Sequence, residues 1–387
     1  MAFYMKEIYL DNAATTAIYT DAAEIRAKVA RGFYGNPSSL HRAGMAAEKY
    51  IKEARQSIAG ALGCAADEIY FTSGGTEADN LAILGFCNAN HRRGKHIITT
   101  KIEHPAVYDT VRHLGEGGFE VDYLDADSAG RISIEQLKQT LRSDTILVSI
   151  MHVNNEVGSI LPIDRIKSVI KQISPVAALH VDAVQSFGKI DVLPSRWGID
   201  LLSVSAHKIH GAKGVGALYV RKGTIIKPIL FGGGQQKGLR PGTENVPGIA
   251  AFGTAAEISA KRRDANYAYV ARLKQRLYDG AAAIPNVVIN GGIGESHVPY
   301  ILNMSFVGVR SEILLHSLES KGIYVSSGSA CSSNKPQPSK TLTTMGKSKA
   351  EIDSAIRFSF SEYNTQEEIA FCIEALTQEV AGIRKYT

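Results

Sequence analysis

The sequence has few cysteines and no long apolar run. Its four cysteines, Cys64, Cys87, Cys331 and Cys372, lie too far apart for a zinc-ligand pair or a disulfide framework, so a reducing compartment fits best. The N-terminus lacks the basic-then-apolar pattern of a signal peptide, and no stretch of about 18 apolar residues occurs. We therefore expect a cytoplasmic protein with no membrane association and no metal site.

Charge of one sign is also scarce. The formal net charge is +5 over 387 residues, and the lysines and arginines are scattered. This pattern argues against direct nucleic-acid binding and suits a small anionic ligand. With 44% hydrophobic residues and 36 glycines, the composition is that of a globular protein long enough for two domains.

The middle of the chain predicts a parallel sheet. Short β-rich runs alternate with helical patterns, which favours a mostly parallel sheet with helices on both faces. The seven predicted strands are 68–72, 96–100, 119–124, 145–150, 177–183, 200–205 and 214–220. About ten residues separate the last two, too few for a parallel crossover, so we expect the seventh strand to be antiparallel.

The pattern changes to a smaller α+β domain after residue 260. The predicted elements are a helix near 256–283, strands near 286–290 and 299–306, a helix at 311–320, strands near 322–326 and 355–360, and a helix at 366–385. We expect a large domain over 15–258 and a small domain over 1–14 and 259–387. The glycine-rich segment 231–245 predicts a functional loop near their junction.

Polar residues follow several predicted strands. In FTSGGTEADN (71–80) two glycines precede a helix, and free N–H groups at a helix start attract phosphate, although Thr76 could simply be an N-cap. Asp182 ends an apolar strand, where a carboxylate requires a cation or several donors. A capping or ion-paired role for Asp182 is the plainer alternative.

Lys208 follows another apolar strand, together with Ser205 and His207. It could be a surface charge, but a partly desolvated lysine at the mouth of a sheet can form a Schiff base. Pyridoxal phosphate (PLP) requires such a lysine, an acid facing its ring nitrogen and donors around its phosphate. Lys208, Asp182 and the set Thr76, Ser205 and His207 match these roles. A dinucleotide fold is disfavoured because no G-x-G-x-x-G opens a helix after an early strand.

Ten motifs in order resemble one family. They are YLDNAATT (9–16), GNPSSLHRAG (35–44), FTSGGTEADN (71–80), EHPAV (103–107), SIMHVNNEVG (149–158), HVDAVQS (180–186), AHKIHGAKG (206–214), RPGT (240–243), SSGSAC (326–331) and IRFSF (356–360). The sequence resembles the class V aminotransferase group of fold-type I PLP enzymes, and within it the cysteine desulfurases of the NifS and IscS type. The resemblance implies PLP, a homodimer, and conversion of L-cysteine to L-alanine and an enzyme persulfide.

The resemblance also implies roles for single residues. Lys208 would hold PLP as an imine and move protons, His104 would lie over the ring and act as acid and base, and Asp182 would keep the ring nitrogen protonated. Further cofactor contacts would come from Gly75, Thr76, Asn155, Gln185, Ser205, His207 and, from the other subunit, Thr243. Arg357 would bind the substrate carboxylate, with Asn155 beside it.

Ordinary structural roles remain as alternatives to these assignments. Asn155 and Thr243 could be turn residues, His104 could be a loop histidine, and Arg357 could be an ion-pair partner. Two positions depart from the commoner family pattern. Ala206 stands where glycine or serine is more usual, and Phe360-Ser361 stands where Leu-Gly is frequent. These departures remove no reacting group, but they put the fine substrate preference in question.

Cys331 differs from the other cysteines, because its segment 326–340 is rich in Ser, Gly, Asn, Lys and Pro. We expect an exposed, mobile loop. Cys87 and Cys372 have apolar neighbours and are expected to be buried. Through SSGSAC, the resemblance implies that Cys331 takes up the substrate sulfur and passes it to an acceptor, such as an iron-sulfur scaffold or a tRNA-thiolation enzyme.

Other functions stay open on the sequence alone. A selenocysteine lyase would use the same site with less dependence on Cys331. A true aminotransferase, or another PLP lyase of the same fold, would also use it. The chain could alternatively be a catalytically silent PLP-binding partner in a larger assembly.

Overall fold

The computed structural model describes residues 7–327 and 338–386. Its strands are β1 (Ile8–Tyr9), β2 (Ile69–Thr72), β3 (His96–Thr100), β4 (Glu120–Leu124), β5 (Thr145–Met151), β6 (Ala178–Asp182), β7 (Leu201–Ser205), β8 (Gly216–Val220), β9 (Val287–Asn290), β10 (Ile301–Phe306), β11 (Ile323–Tyr324), β12 (Ser326–Ser327) and β13 (Ala355–Ser359). Its helices are α1 (Thr20–Gly32), α2 (Arg42–Leu62), α3 (Gly75–Asn90), α4 (Pro105–Glu116), α5 (Ile134–Thr140), α6 (Ile163–Ile173), α7 (Pro194–Trp197), α8 (Val246–Ala282), α9 (Ser311–Glu319), α10 (Lys340–Thr344), α11 (Lys349–Asp353) and α12 (Gln366–Ile383). Short 3₁₀ turns occur at Ala66–Glu68, Ala206–Lys208 and Gln235–Gly238.

The central sheet has seven strands in the order β2-β8-β7-β6-β5-β3-β4. Strand β8 runs antiparallel to both β2 and β7, and the other neighbouring strands run parallel. Both the predicted strand number and the antiparallel seventh strand are confirmed. The short connection after β7 explains the reversal, because it has no room for a crossover helix.

Helices cover both faces of this sheet. Successive residues of a strand point to opposite faces, and Ile97 and Ile98 of β3 accordingly belong to different apolar clusters. One cluster includes residues of α2, α6 and α8, and the other includes residues of α3 and α4. Because both faces are buried, the strands consist of nearly continuous apolar runs.

The C-terminal part contains an antiparallel sheet in the order β12-β13-β10-β9. The single strand predicted near 322–326 is wrong, because its two halves pair with different partners. Strand β11 pairs in parallel with β1, whereas β12 pairs with β13. Hydrogen bonding to two partners divides a run that looks continuous in the sequence.

Helix α8 begins ten residues earlier than predicted, at Val246. The side chain of Asn245 caps it by accepting a hydrogen bond from the Gly248 N–H at 3.1 Å, and a proline lies in the first turn. The first half of α8 packs in a cluster with the central sheet, and the second half packs with β10 and β13. The proposed domain boundary at 258 therefore falls within a helix and stays a prediction.

The N-terminal segment 8–19 connects the two sheets. The N–H of Leu10 donates to the Tyr324 carbonyl at 2.9 Å, and the N–H of Thr16 donates to the His207 carbonyl at 3.1 Å. The segment thus pairs with the C-terminal strands and then with the turn that follows β7. No helix within 7–327 and 338–386 is long and apolar enough to cross a membrane.

Two glycines test the contact between α2 and α8. A Cβ at Gly253 would lie 2.5 Å from the Cα of Ala54, whereas one at Gly60 would meet nothing within 4 Å. Gly253→Ala should lower the free energy of unfolding by about 1–3 kcal/mol through overpacking. Gly60→Ala should raise it by about 0.5–1 kcal/mol. Thermal unfolding followed by circular dichroism should show opposite shifts of the midpoint, and equal shifts would contradict the close contact.

Candidate active site

A cavity of about 340 Å³ opens at the carboxyl ends of β5, β6 and β7. Its lining consists of Asp11, Ala13, Ala14, Gly75, Thr76, Asp79, His104, Met151, Asn155, Asp182, Val184, Gln185, Ser205, His207, Lys208, Ser326 and Arg357. All of the predicted site residues except Thr243 and Cys331 are in this set. Parallel strands bring them together because their carboxyl ends meet at one edge of the sheet.

The start of α3 lies at one end of this cavity. Gly74, and not Thr76, is the N-cap residue, and no side chain caps the helix, so the first N–H groups have no side-chain acceptor. A Cβ at Gly75 would lie 2.7 Å from a methyl group of Val184. The lack of a Cβ at this position therefore lets Val184 pack against the helix start, where the free N–H groups can bind an anion.

Ser205 and His207 add polar groups near the same helix start. The Ser205 hydroxyl is buried and has no hydrogen-bond partner within the described residues. The His207 ring lies 3.2 Å from the Thr15 hydroxyl, and burial lowers its pKa to about 4, so the ring is neutral near pH 7. A buried hydroxyl without a partner is unfavourable in itself. These residues fit the phosphate of PLP.

Lys208 ends the 3₁₀ turn Ala206–Lys208 that follows β7. Its Nζ donates to the Ala13 carbonyl at 2.6 Å and to the Ala14 carbonyl at 2.8 Å. Both acceptors belong to the N-terminal segment 8–19, which holds the amine in the cavity. Lys208 is therefore not a surface charge.

Asp182 and His104 lie along the same cavity. Asp182 is 6% exposed and accepts a hydrogen bond from the Val184 N–H at 2.9 Å. Burial raises the pKa of Asp182, and its interactions with the His104 ring, the Val184 N–H and the Lys208 ammonium limit that rise. The Val184 N–H and the Lys208 ammonium are the kinds of partner that a carboxylate at the end of a buried strand requires.

His104 is the N-cap residue of α4, because its Nδ1 accepts a hydrogen bond from the Ala106 N–H at 3.1 Å. Burial lowers the pKa of His104, while Asp182 acts in the opposite direction. A neutral ring that accepts at Nδ1 carries its proton on Nε2. His104 therefore has an ordinary structural role as a helix cap and also lines the cavity.

Arg357 lies on β13 and is 6% exposed. One of its terminal nitrogens donates to Asp11 Oδ1 and the other to the Asn155 carbonyl, both at 2.9 Å. Its Nε has no partner within the described residues. Arg357 is therefore an ion-pair partner of Asp11 and also part of the cavity lining.

Sequence reasoning missed two carboxylates of the cavity. Asp11 belongs to the motif YLDNAATT, whose residues received no individual role. Asp79 is 1% exposed and lies 3.5 Å from His180 Nε2, and burial followed by the charge of Asp182 raises its pKa. Helical spacing offered a signal, because Asp79 follows Gly75 by one turn on the same face of α3.

Two predicted site residues are not in the cavity lining. Thr243 is exposed, and its contact with the other subunit stays a prediction. Cys331 lies outside the described residues.

The other cysteines are poor nucleophiles, because burial raises the pKa of Cys64, Cys87 and Cys372 to about 12. The expected burial of Cys87 and Cys372 is confirmed.

The family model named aminotransferase class-V matches residues 8–371. The chain belongs to this family. The cysteine desulfurase IscS of Vibrio vulnificus is 44% identical over 382 residues, which cover 97% of this chain and 93% of that protein. The cysteine desulfurase IscS of Dictyoglomus turgidum is 41% identical over 380 residues, with 98% and 96% covered.

A solved structure described as a NifS-like protein is also similar. It has a TM-score of 0.92 and 37% identity, and the match covers 97% of this chain and 100% of that one. These comparisons confirm the resemblance to cysteine desulfurases of the NifS and IscS type, the fold-type I transferase fold and PLP as the family cofactor. The assignment of single residues to that cofactor remains a proposal.

Ser205 and Ser203, both on β7, test the phosphate end. Ser205→Ala removes a hydroxyl without a described partner and should weaken PLP binding roughly tenfold without lowering the thermal midpoint of the cofactor-free protein. Ser203→Ala removes the partner that His180 Nε2 meets at 3.1 Å, so it should lower the midpoint and leave PLP affinity nearly unchanged. Fluorescence titration with PLP measures the affinity. Equal affinity losses would contradict the assignment.

Proposed function

We propose that the protein is a PLP-dependent cysteine desulfurase, which removes sulfur from L-cysteine, releases L-alanine and carries the sulfur as a persulfide on Cys331. The observation that carries this proposal is the grouping of Lys208, Asp182 and Arg357 in one cavity. An amine for the cofactor, an acid for its ring and a guanidinium for a carboxylate are what an amino-acid-converting PLP enzyme requires.

Each part of the cofactor has candidate residues. Lys208 would form the covalent bond, Asp182 would pair with the ring nitrogen and Gln185 would meet the ring hydroxyl. The phosphate would be held by Ser205, His207 and the N–H groups of Gly75 and Thr76, with Thr243 from the second subunit. Bound PLP supplies an electron sink for the bonds at the substrate Cα.

Lys208 is the better proton carrier of the two basic groups. Once released from the cofactor, its amine can take the proton from Cα and return it elsewhere. His104 holds an Nε2–H, and protonation of its Nδ1 would deprive the Ala106 N–H of its acceptor. We therefore assign His104 mainly to orientation of the ring and to assistance in the acid and base steps.

Arg357 would bind the substrate carboxylate. Asp11 and the Asn155 carbonyl already fix its guanidinium plane, so little side-chain freedom would be lost on binding. The Nε of Arg357 is buried, has no hydrogen-bond partner within the described residues and would be a further donor for the carboxylate.

A further solved structure supports cysteine as the substrate. It is described as SspA in complex with cysteine, and its TM-score against this chain is 0.80. The two chains are 34% identical, and the match covers 93% of this chain and 100% of that one. A related protein of the same fold therefore binds the amino acid that the proposed reaction consumes.

Sulfur transfer requires a nucleophile. The Cys331 thiolate would attack the substrate sulfur, forming an S–S bond as the C–S bond breaks and its electron pair stays with the carbon fragment. Proton uptake by that fragment yields L-alanine, and Cys331 keeps the persulfide. An iron-sulfur scaffold or a tRNA-thiolation enzyme would accept the sulfur, and a homodimer in the cytoplasm would be the active form.

Substitution of Cys331 tests the function. Cys331→Ser should retain the visible absorbance of bound PLP and lose alanine formation from L-cysteine, because no thiolate receives the sulfur. Cys64→Ser is the control, since Cys64 lies outside the cavity and burial keeps its thiol protonated. Alanine is measured by chromatography with a thiol reductant present.

The same assay separates the rival functions. Alanine formation from L-cysteine by Cys331→Ser at the unsubstituted rate would contradict the nucleophile. Turnover of selenocysteine but not cysteine by the unsubstituted protein would instead identify a selenocysteine lyase. Turnover of neither, despite full PLP content, would identify a silent PLP-binding protein.

A further inference from the structure

A second, smaller polar cavity lies behind Lys208. Its volume is about 20 Å³, and Lys208 lines both it and the cofactor cavity. The titratable side chains around it are those of Lys189, Lys208, Tyr19, His210, Tyr300 and Glu362. None of these except Lys208 has a role in the proposed reaction.

Lys189 is the unusual member of this group. It is only 9% exposed, its Nζ lies 3.5 Å from Gln185 Oε1, and it lies 5.5 Å from the ring centroid of Tyr300. Burial lowers the pKa of Lys189 to about 7, and the charge of Lys208 lowers it as well. A lysine is rarely buried unless it is paired, so packing alone does not explain this one.

Hydrogen bonds connect Lys189 to the catalytic lysine. The Gln185 amide has its oxygen toward Lys189 and donates from Nε2 to the Ala13 carbonyl at 2.9 Å. The same carbonyl accepts from Lys208 Nζ at 2.6 Å. A cation beside Oε1 favours this orientation of the amide over the flipped one, since the flipped amide would turn its NH₂ group toward an ammonium.

We propose that Lys189 is a positioning residue, which fixes the Gln185 amide and, in its protonated form, places a second positive charge behind Lys208, so that the uncharged, nucleophilic form of Lys208 is favoured. This proposal rests on the proposed function in one respect, the attachment of PLP to Lys208. Protonation of either lysine disfavours protonation of the other by the same free energy, because coupling between two sites is reciprocal. A neighbouring cation is a known way to activate a lysine nucleophile.

Of the other charged groups around Lys189, Glu362 raises the pKa of Lys189 and so opposes burial and the charge of Lys208, which together still keep that pKa low. Although burial raises the pKa of Glu362, its hydrogen bond and charge interaction with His210 and its hydrogen bond with Tyr19 lower it to about 2. The Glu362 carboxylate lies 2.5 Å from the Tyr19 hydroxyl and 3.5 Å from His210 Nε2, so it already interacts with these two side chains. Arg357 is a further cation and acts on Lys189 in the same direction as Lys208.

Lys189→Met and Lys189→Gln test the proposal in the holoenzyme without substrate. Both substitutions remove the positive charge of Lys189, so PLP bound to Lys208 takes up a proton more easily. The midpoint of its absorbance against pH should rise by roughly one pH unit in both variants. Since glutamine remains polar, Lys189→Gln also provides a variant that is more easily accommodated than methionine.

Lys274→Met is the matched control. Lys274 is also buried, at 3% exposure, and burial lowers its pKa to about 8, but it donates to the Gly292 and Val298 carbonyls and lines neither cavity. This variant should lower the thermal midpoint without moving the absorbance midpoint. Unchanged absorbance midpoints in both Lys189 variants would overturn the proposal, and a shift in Lys189→Met alone would refute the charge effect.

A measurement without cofactor separates this proposal from the proposed function. In the cofactor-free protein, the extent of Lys208 acetylation against pH, followed by mass spectrometry, reports its protonation directly. The half-labelling pH should rise in both Lys189 variants and stay unchanged in Lys274→Met. A rise supports the coupling even if PLP proves to bind elsewhere, and no rise overturns it even if Lys208 carries PLP.

Discussion

The hydrogen bonds between Lys208 Nζ and the carbonyls of Ala13 and Ala14 are the interaction on which the site depends. The N-terminal segment 8–19 pairs with the C-terminal strands at one end and with the turn after β7 at the other. It therefore fixes the distance between the wall that carries Arg357 and the wall that carries Lys208. A cavity built from two sheets needs such a connection, because neither sheet alone contains both the amine and the guanidinium.

The electrostatics of the cavity follow from burial. Charged groups out of water persist only with partners, and here Arg357 pairs with Asp11 while Asp182 accepts a hydrogen bond from the Val184 N–H and faces Lys208. In contrast, the Ser205 hydroxyl and the Arg357 Nε are buried and have no hydrogen-bond partner within the described residues. Paired groups hold the geometry of the cavity, and unpaired donors are the ones suited to bind a phosphate and a carboxylate.

The sequence predicted the central sheet well because its strands are nearly continuous apolar runs and the connection after β7 is too short for a crossover. It also predicted most of the cavity lining, since polar residues at the ends of such strands have few other places to point. It missed the start of α8, where glycine and proline masked the helix, and the split between β11 and β12, which only pairing determines. Backbone acceptors such as Ala13, and the burial of Lys189, depend on tertiary contacts that no local pattern records.

The central claim is that Lys208, held by the N-terminal segment, is the residue that binds PLP. Borohydride reduction of the holoenzyme fixes the cofactor to its lysine, and peptide mapping by mass spectrometry then locates the pyridoxyl group. The account predicts the label on the peptide that contains Lys208, with no label on Lys189. A pyridoxyl group on Lys189 or on any other lysine would contradict it.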